Sequence, residues 1–169
     1  MEFNPIKVII TEEMLLNAKS RDHGKYNNKS FMDGKGNLHG FLGDELVKKL
    51  RPDLIWSSTK DYDFISPTGK KIEVKTKYQT VPNIKPEYEA SVCNDSLHQQ
   101  CDFYVFCRVY KTKDGSFPFG WVIGTISKDN YFKIAKPLKK ADIDGSNKWE
   151  VTQNCYNIYY SQLSPFPLK

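Results

Sequence analysis

Residues 101–110, CDFYVFCRVY, limit the choice of fold more than any other stretch of this chain. The run is dense in aromatic and β-branched side chains with little polar interruption, so it reads as a strand in the middle of a sheet. The remaining chain must supply its neighbours. Leu54-Ile55-Trp56, residues 121–126, the alternating Tyr156, Ile158 and Tyr160, and a short extended lead-in over 3–10 all read as strands. A helix is predicted over 11–24, capped by Thr11, with Glu12 and Glu13 at the positive end of its dipole. Further helices are predicted over 38–50, over 90–100 with Asn94, Asp95 or Ser96 as cap, and from Ser127 to about Ala135. Residues 25–37, 78–88 and 136–140 read as loops, the second interrupted by Pro82 and Pro86. Asp22, His23 and Lys25 read as a solvated helix end.

Residues 61–77 form the most informative local pattern. Two short strands flank Pro67-Thr68-Gly69, in which proline fixes one φ and glycine is free to take a positive one. Ile72 and Val74 point one way, and Lys71, Glu73 and Lys75 the other. Closing the hairpin about Thr68-Gly69 brings Asp63 level with Glu73 and Val74. Two close carboxylates repel each other unless a cation joins them, and a hard divalent metal is one such cation.

The helix over 38–50 carries apolar residues at 38, 41, 42, 46 and 50, and Glu45 lies within that stripe. A carboxylate on a buried helix face is costly unless paired or bound to metal, although a glutamate at the stripe's edge can also reach solvent. Gly40 and Gly43 on one side indicate a close approach of the helix backbone to another element or a ligand. Arg51-Pro52 ends the helix.

At 169 residues the chain is long enough for one domain with a real core, spanning 1–169 with its centre over about 38–126. Its aromatic share of 14% argues against disorder, and a net charge of +5 permits a polyanionic partner without demanding one. No apolar run approaches the roughly 20 residues that span a bilayer, and residues 1–5 lack the pattern of a signal peptide, so a cytoplasmic location is expected. Cys93, Cys101, Cys107 and Cys155 form no Cys-x-x-Cys pair and are expected to be reduced; Cys101 and Cys107 share strand parity and so could face one apolar side. A zinc site on Cys93, His98 and Cys101 would have irregular spacing.

Glu45 on the first core helix, Asp63 at the start of the second strand and Glu73-Val74-Lys75 on the third, followed by a helix and an apolar strand, resemble the PD-(D/E)XK nuclease superfamily. The resemblance covers roughly residues 40–108 and implies a restriction-endonuclease-like fold. That is an α/β (α+β) domain with a central mixed sheet flanked by helices in the order αβββαβ, here with an added N-terminal helix and extra C-terminal strands. It further implies that Asp63, Glu73 and the Val74 carbonyl hold Mg2+, which Mn2+ can replace, that Glu45 is a direct or water-mediated ligand, and that Lys75 is the catalytic lysine. Tyr62 stands where the family has its proline. Pro52-Asp53 matches that dipeptide literally but lies at a helix exit, and Asp61 rivals Asp63 by strand parity. Gln99 and Gln100 match glutamines that some members place near the active site.

The expectation is thus Mg2+-dependent hydrolysis of phosphodiester bonds, most naturally in DNA with RNA open. Lys77, Tyr78, Lys85, Gln99, Gln100 and the 136–140 loop are its candidate nucleic-acid contacts. The alternatives are a binding module that keeps the fold without the activity, and an interaction protein whose acids and lysines form a surface ladder. A homodimer is compatible with the first reading, and the small size would suit a virus or mobile element.

Overall fold

The computed structural model describes residues 3–21, 37–57, 59–145 and 148–167. It is a mixed α+β domain with, among the described residues, three α-helices and a central six-stranded sheet. The expectations at Asp22, His23 and Lys25 lie outside the described residues.

The run at 101–110 takes the inner position its composition requires. Strand β6 (Phe103–Tyr110) lies between β4 (Lys71–Gln79), parallel to it, and β7 (Phe119–Ser127), antiparallel. Outside β7 lies β1 (Ile6–Ile9). Outside β4 lie the two-residue strands β3 (Phe64–Ile65) and β2 (Ile55–Trp56), giving the order β1-β7-β6-β4-β3-β2. A bulge at Phe106/Cys107 leaves Ile123 without a partner across the ladder, and Ile123 joins Trp121 in the second of two cores by strand alternation.

The two cores lie on opposite faces of this sheet. On one face α1 (Glu12–Arg21) and α2 (Asn37–Leu50) bury Met14, Ala18, Leu42, Leu46 and Val47 against Ile72, Val74, Val105, Cys107 and Val109. The α2 stripe read from the sequence is therefore the face that packs. On the other face Tyr104, Phe106, Trp121 and Ile123 meet α3 (Lys128–Ile134) and a second sheet, formed by β5 (Glu89–Cys93), β11 (Cys155–Tyr159) and β8 (Lys136–Leu138). Ser127 caps α3 by accepting from the Asn130 N–H, and Thr11 accepts from the Met14 N–H in the first turn of α1. A small ribbon pairs β9 (Ile143–Asp144) with β10 (Trp149–Glu150).

Three expectations are corrected. Residues 90–100 contain no α-helix. Ala90 to Cys93 belong to β5, because pairing with β11 at Ala90↔Ile158 and Val92↔Tyr156 satisfies their backbone and buries both side chains; only a 3-10 turn, Asn94–Ser96, follows. The order αβββαβ is therefore not reproduced between β4 and β6. The 136–140 stretch is a loop only in its second half, since residues 136–138 pair with Cys155–Asn157 as β8. Cys101 and Cys107 lie on opposite faces because Cys101 precedes β6 and is not bound by its alternation. All four cysteines are unpaired thiols. No described helix is long and apolar enough to cross a membrane.

Candidate active site

The hairpin begins with backbone chemistry. Gly69 takes φ +80°, its N–H donating to the Ser66 carbonyl, and the Ser66 N–H donates to the Lys70 carbonyl. The resulting register, Phe64↔Ile72 and Ile65↔Lys71, puts Asp63 opposite Glu73. The Asp63 N–H donates to the Ile72 carbonyl at 2.9 Å, after which the strands part. Where the next main-chain acceptor would stand, Asp63 Oδ2 accepts the Val74 N–H at 2.7 Å. Beyond Ile72 no described strand pairs with this side of β4, and backbone alternation turns the Val74 carbonyl toward it as well.

Glu73 and Lys75 project to the opposite face from α2. Lys75 Nζ donates to Glu73 Oε1 at 2.8 Å, to Gln99 Oε1 at 2.7 Å and to Ser96 Oγ at 3.3 Å. Gln99 Nε2 closes the triangle by donating to Glu73 Oε1 at 2.7 Å. Glu73 and Gln99 are buried, and the Lys128 ammonium holds the Gln99 carbonyl. Gln99 thus acts on the lysine and the acid together.

The helix contributes its acid by contact with β4. A Cβ on Gly43 would stand 1.8 Å from Thr76 Oγ1, so only glycine lets α2 settle this close. That approach carries the next residue, Asp44, to the sheet edge. Asp44 is buried, and its Oδ2 accepts from Arg21 Nη1 at 3.3 Å. Burial pushes the Asp44 carboxyl well above the usual carboxylate range despite Arg21, and Glu73 and Glu45 add to the rise. Burial raises Asp63 in the same way, with the charges of Asp44 and Glu73 adding to it and the Val74 N–H and Lys75 opposing. Three carboxylates thus feel one another across the edge of β4.

Glu45, expected to be the helix acid, is buried but faces α1. Its Oε1 accepts from Arg21 Nη2 at 2.8 Å and its Oε2 from Asn17 Nδ2 at 3.4 Å. The acid that sequence reasoning missed is Asp44. A usable signal was present, because Asp44 directly follows Gly43, the glycine at which the helix meets the sheet, whereas Gly40 faces open space. Asp61 stands outside the group, its N–H donating to Thr59 Oγ1, and Asp53 pairs with Arg51 at 2.6 Å.

The expected contact residues scatter. Lys77 is bound to Glu89 at 3.1 Å and lies over the Trp149 ring; burial lowers it from the ordinary lysine value, with Glu89 opposing. Tyr78 is exposed on the α2 side, edge-on to His39. Lys85 is exposed, and Gln100 is exposed and donates to the His98 carbonyl. Lys136 pairs with Asp144 at 3.0 Å.

Among the described residues, no three His, Cys, Asp or Glu side chains are grouped so as to hold one metal ion. The donor set at the edge of β4 is of a different kind, comprising the carboxylates of Asp63 and Glu73 and the Val74 carbonyl, with Asp44 behind them. Asp63 Oδ1, Glu73 Oε2 and Asp44 Oδ1 accept no hydrogen bond from a described residue. These are hard oxygens, and magnesium is commonly held by one or two carboxylates with water and phosphate completing its shell, so the residues present fit that ion. No protein-family model matches the chain, and no curated protein matches it either.

Proposed function

We propose that this chain is a divalent-metal-dependent nuclease that hydrolyses phosphodiester bonds, with DNA as the polymer and a restriction-endonuclease-like core. One observation carries the reading: Asp63 stands opposite Glu73 at a strand edge that no described strand covers, beside a lysine anchored by Glu73 and Gln99, and the charges of Asp44 and Glu73 add to the rise that burial imposes on Asp63. A structural ion pair would match its charges, whereas this cluster leaves acid in excess, as a cation site does.

Asp63, Glu73 and the Val74 carbonyl would hold the ion, with Asp44 taking the helix role first assigned to Glu45. When bound, a divalent ion polarises the scissile phosphate and lowers the pKa of a water. The protein's own contribution centres on Lys75. Glu73 and Gln99 fix its ammonium, and its third and longest bond, to Ser96, is the one a water or phosphate oxygen can replace. Held there, Lys75 orients the attacking water and opposes charge building on phosphorus. Asp63 keeps its place by accepting the Val74 N–H, which ties the two strands where they part. Exposed Tyr78, Lys85 and Gln100 are candidate backbone contacts, whereas Lys77 is engaged by Glu89.

The test is digestion of linear, nicked, branched and single-stranded DNA, and of RNA, with Mg2+ or Mn2+ and with EDTA as control. Glu73→Ala and Lys75→Ala should abolish EDTA-sensitive cleavage while the far-UV spectrum is kept. Undiminished cleavage by either variant removes the assignment. Cation binding without cleavage of any substrate would instead identify a binding module on the same fold.

A further inference from the structure

We propose that Arg21 is a resident counter-ion for Asp44, holding that carboxylate in the metal-free protein and giving it up to the arriving divalent cation, so that arginine and metal compete for one acid. This rests on the metal-dependent reading above and adds a residue from outside the 40–108 core.

The geometry distinguishes the bonds Arg21 keeps from the one it can release. Nη2 donates to Glu45 Oε1 at 2.8 Å and to the Phe41 carbonyl at 3.2 Å. The guanidinium lies 4.0 Å from the Trp56 ring centre and 5.1 Å from that of Phe41. Glu45, Phe41 and Trp56 therefore seat the head group without help from Asp44. The Asp44 bond, from Nη1 at 3.3 Å, is the longest of the three and the only one to the carboxylate that Asp63 and Glu73 repel. Because the Arg21 side chain is 30% exposed, water can take over Nη1 when Asp44 leaves, whereas Asp44, at 8%, has little water to turn to. A buried acid in a like-charged group needs either a proton or a counter-charge, and Arg21 supplies the counter-charge until a stronger cation comes. The arrangement also accounts for Glu45, a buried acid that takes no part at the β4 edge. It anchors the arginine that serves Asp44.

The test titrates MgCl2 calorimetrically into the chelator-stripped full chain, as wild type, Arg21→Gln and Arg21→Lys. Loss of one positive charge a few ångströms from a divalent ion should tighten Mg2+ binding roughly three- to tenfold in Arg21→Gln. Arg21→Lys, which keeps the charge, should stay near wild type. Unchanged or weaker binding in Arg21→Gln overturns the competition. A second readout uses Trp56, since release of Nη1 from Asp44 lets water reach the guanidinium that lies 4.0 Å from that ring and so changes the ring's surroundings. Mg2+ should change the tryptophan emission of wild type, and Trp56→Phe should abolish the change. An emission indifferent to Mg2+, in a protein that binds it, overturns the proposal even if Arg21→Gln does not fold. A wild type that binds no divalent ion fails the metal reading itself, and the Arg21 proposal with it.

Discussion

Glu73 and Lys75 point from β4 toward the second sheet, as do Lys77 and Gln79 further along the strand, yet the two halves of this row carry charge differently. In the second half, Arg108 on the neighbouring β6 donates to Glu89 at 2.8 Å, to Gln79 Oε1 at 3.2 Å and to the Tyr160 hydroxyl at 2.8 Å, and Lys77 adds its bond to Glu89. Burial alone would raise Glu89, but Lys77 and Arg108 overrule it and hold the carboxyl below its ordinary value. In the first half, burial and neighbouring acids hold Asp44 and Asp63 above it. Both regions bury charge at comparable depth. One opposes its acid with two cations, while the other sets acids beside one another. Burial of charge is thus uninformative until the signs are counted.

The contrast can be broken most forcefully at Glu89. Glu89→Ala strands the Arg108 guanidinium in the core and should cost about 3–5 kcal/mol, read as a lower denaturation midpoint that Mg2+ does not restore. Gly43→Ala comes next. Its methyl group collides with Thr76, and the strain should cost about 1–3 kcal/mol and lift Asp44 off the sheet edge, weakening Mg2+ binding as well as stability. Asp63→Asn should do the reverse, raising the melting temperature of the metal-free protein by removing one of the repelling charges while ending cleavage.

That variant also gives the pH dependence. A carboxyl raised in the folded state binds more protons folded than unfolded, so its contribution to stability falls as pH rises from the ordinary value of about 4 toward neutrality. Asp63→Asn should flatten this fall in melts between pH 5 and 8. Glu89, held low, gives the opposite sign, with stability present at neutral pH and lost only as pH falls below the ordinary value. The smallest effect belongs to Asp61→Asn, which should change stability by less than about 0.5 kcal/mol and leave cleavage intact. A loss of cleavage there would move the strand acid from Asp63 to Asp61.

What the sequence disclosed follows the range of the forces involved. Pro67-Thr68-Gly69 sets a register within a few residues, so the placement of Asp63 against Glu73 and Val74 could be read directly. The α2 stripe was equally local, but which of Asp44 and Glu45 turns to the sheet depends on how far the helix rolls. A contact with Thr76 decides that, outside the helix's own pattern. Residues 90–93 read locally as a helix, but their strand partner, β11, lies far along the chain, and no local preference records it. Arg108 interrupts an otherwise apolar strand, and only the fold brings it to Glu89, Gln79 and Tyr160, whose charge cluster it organises. The restriction-endonuclease-like likeness rests on the hairpin and α2, and β5 in place of a helix is where it is weakest.

The parallel pairing of β4 with β6 has a kinetic consequence. Parallel neighbours cannot be joined by a tight turn, so the chain must travel back the length of β4 through residues 80–102 before β6 can begin. Gln99, which ties Lys75 to Glu73, lies at the end of that return path. The lysine's anchor therefore comes into place only when the crossover closes, a slow step of high contact order. The hairpin by itself supplies only the bond from Lys75 to Glu73, and the bonds to Gln99 and Ser96 come from the crossover. The geometry around the lysine is thus set as much by a segment some twenty residues further along the chain as by the strand that carries it.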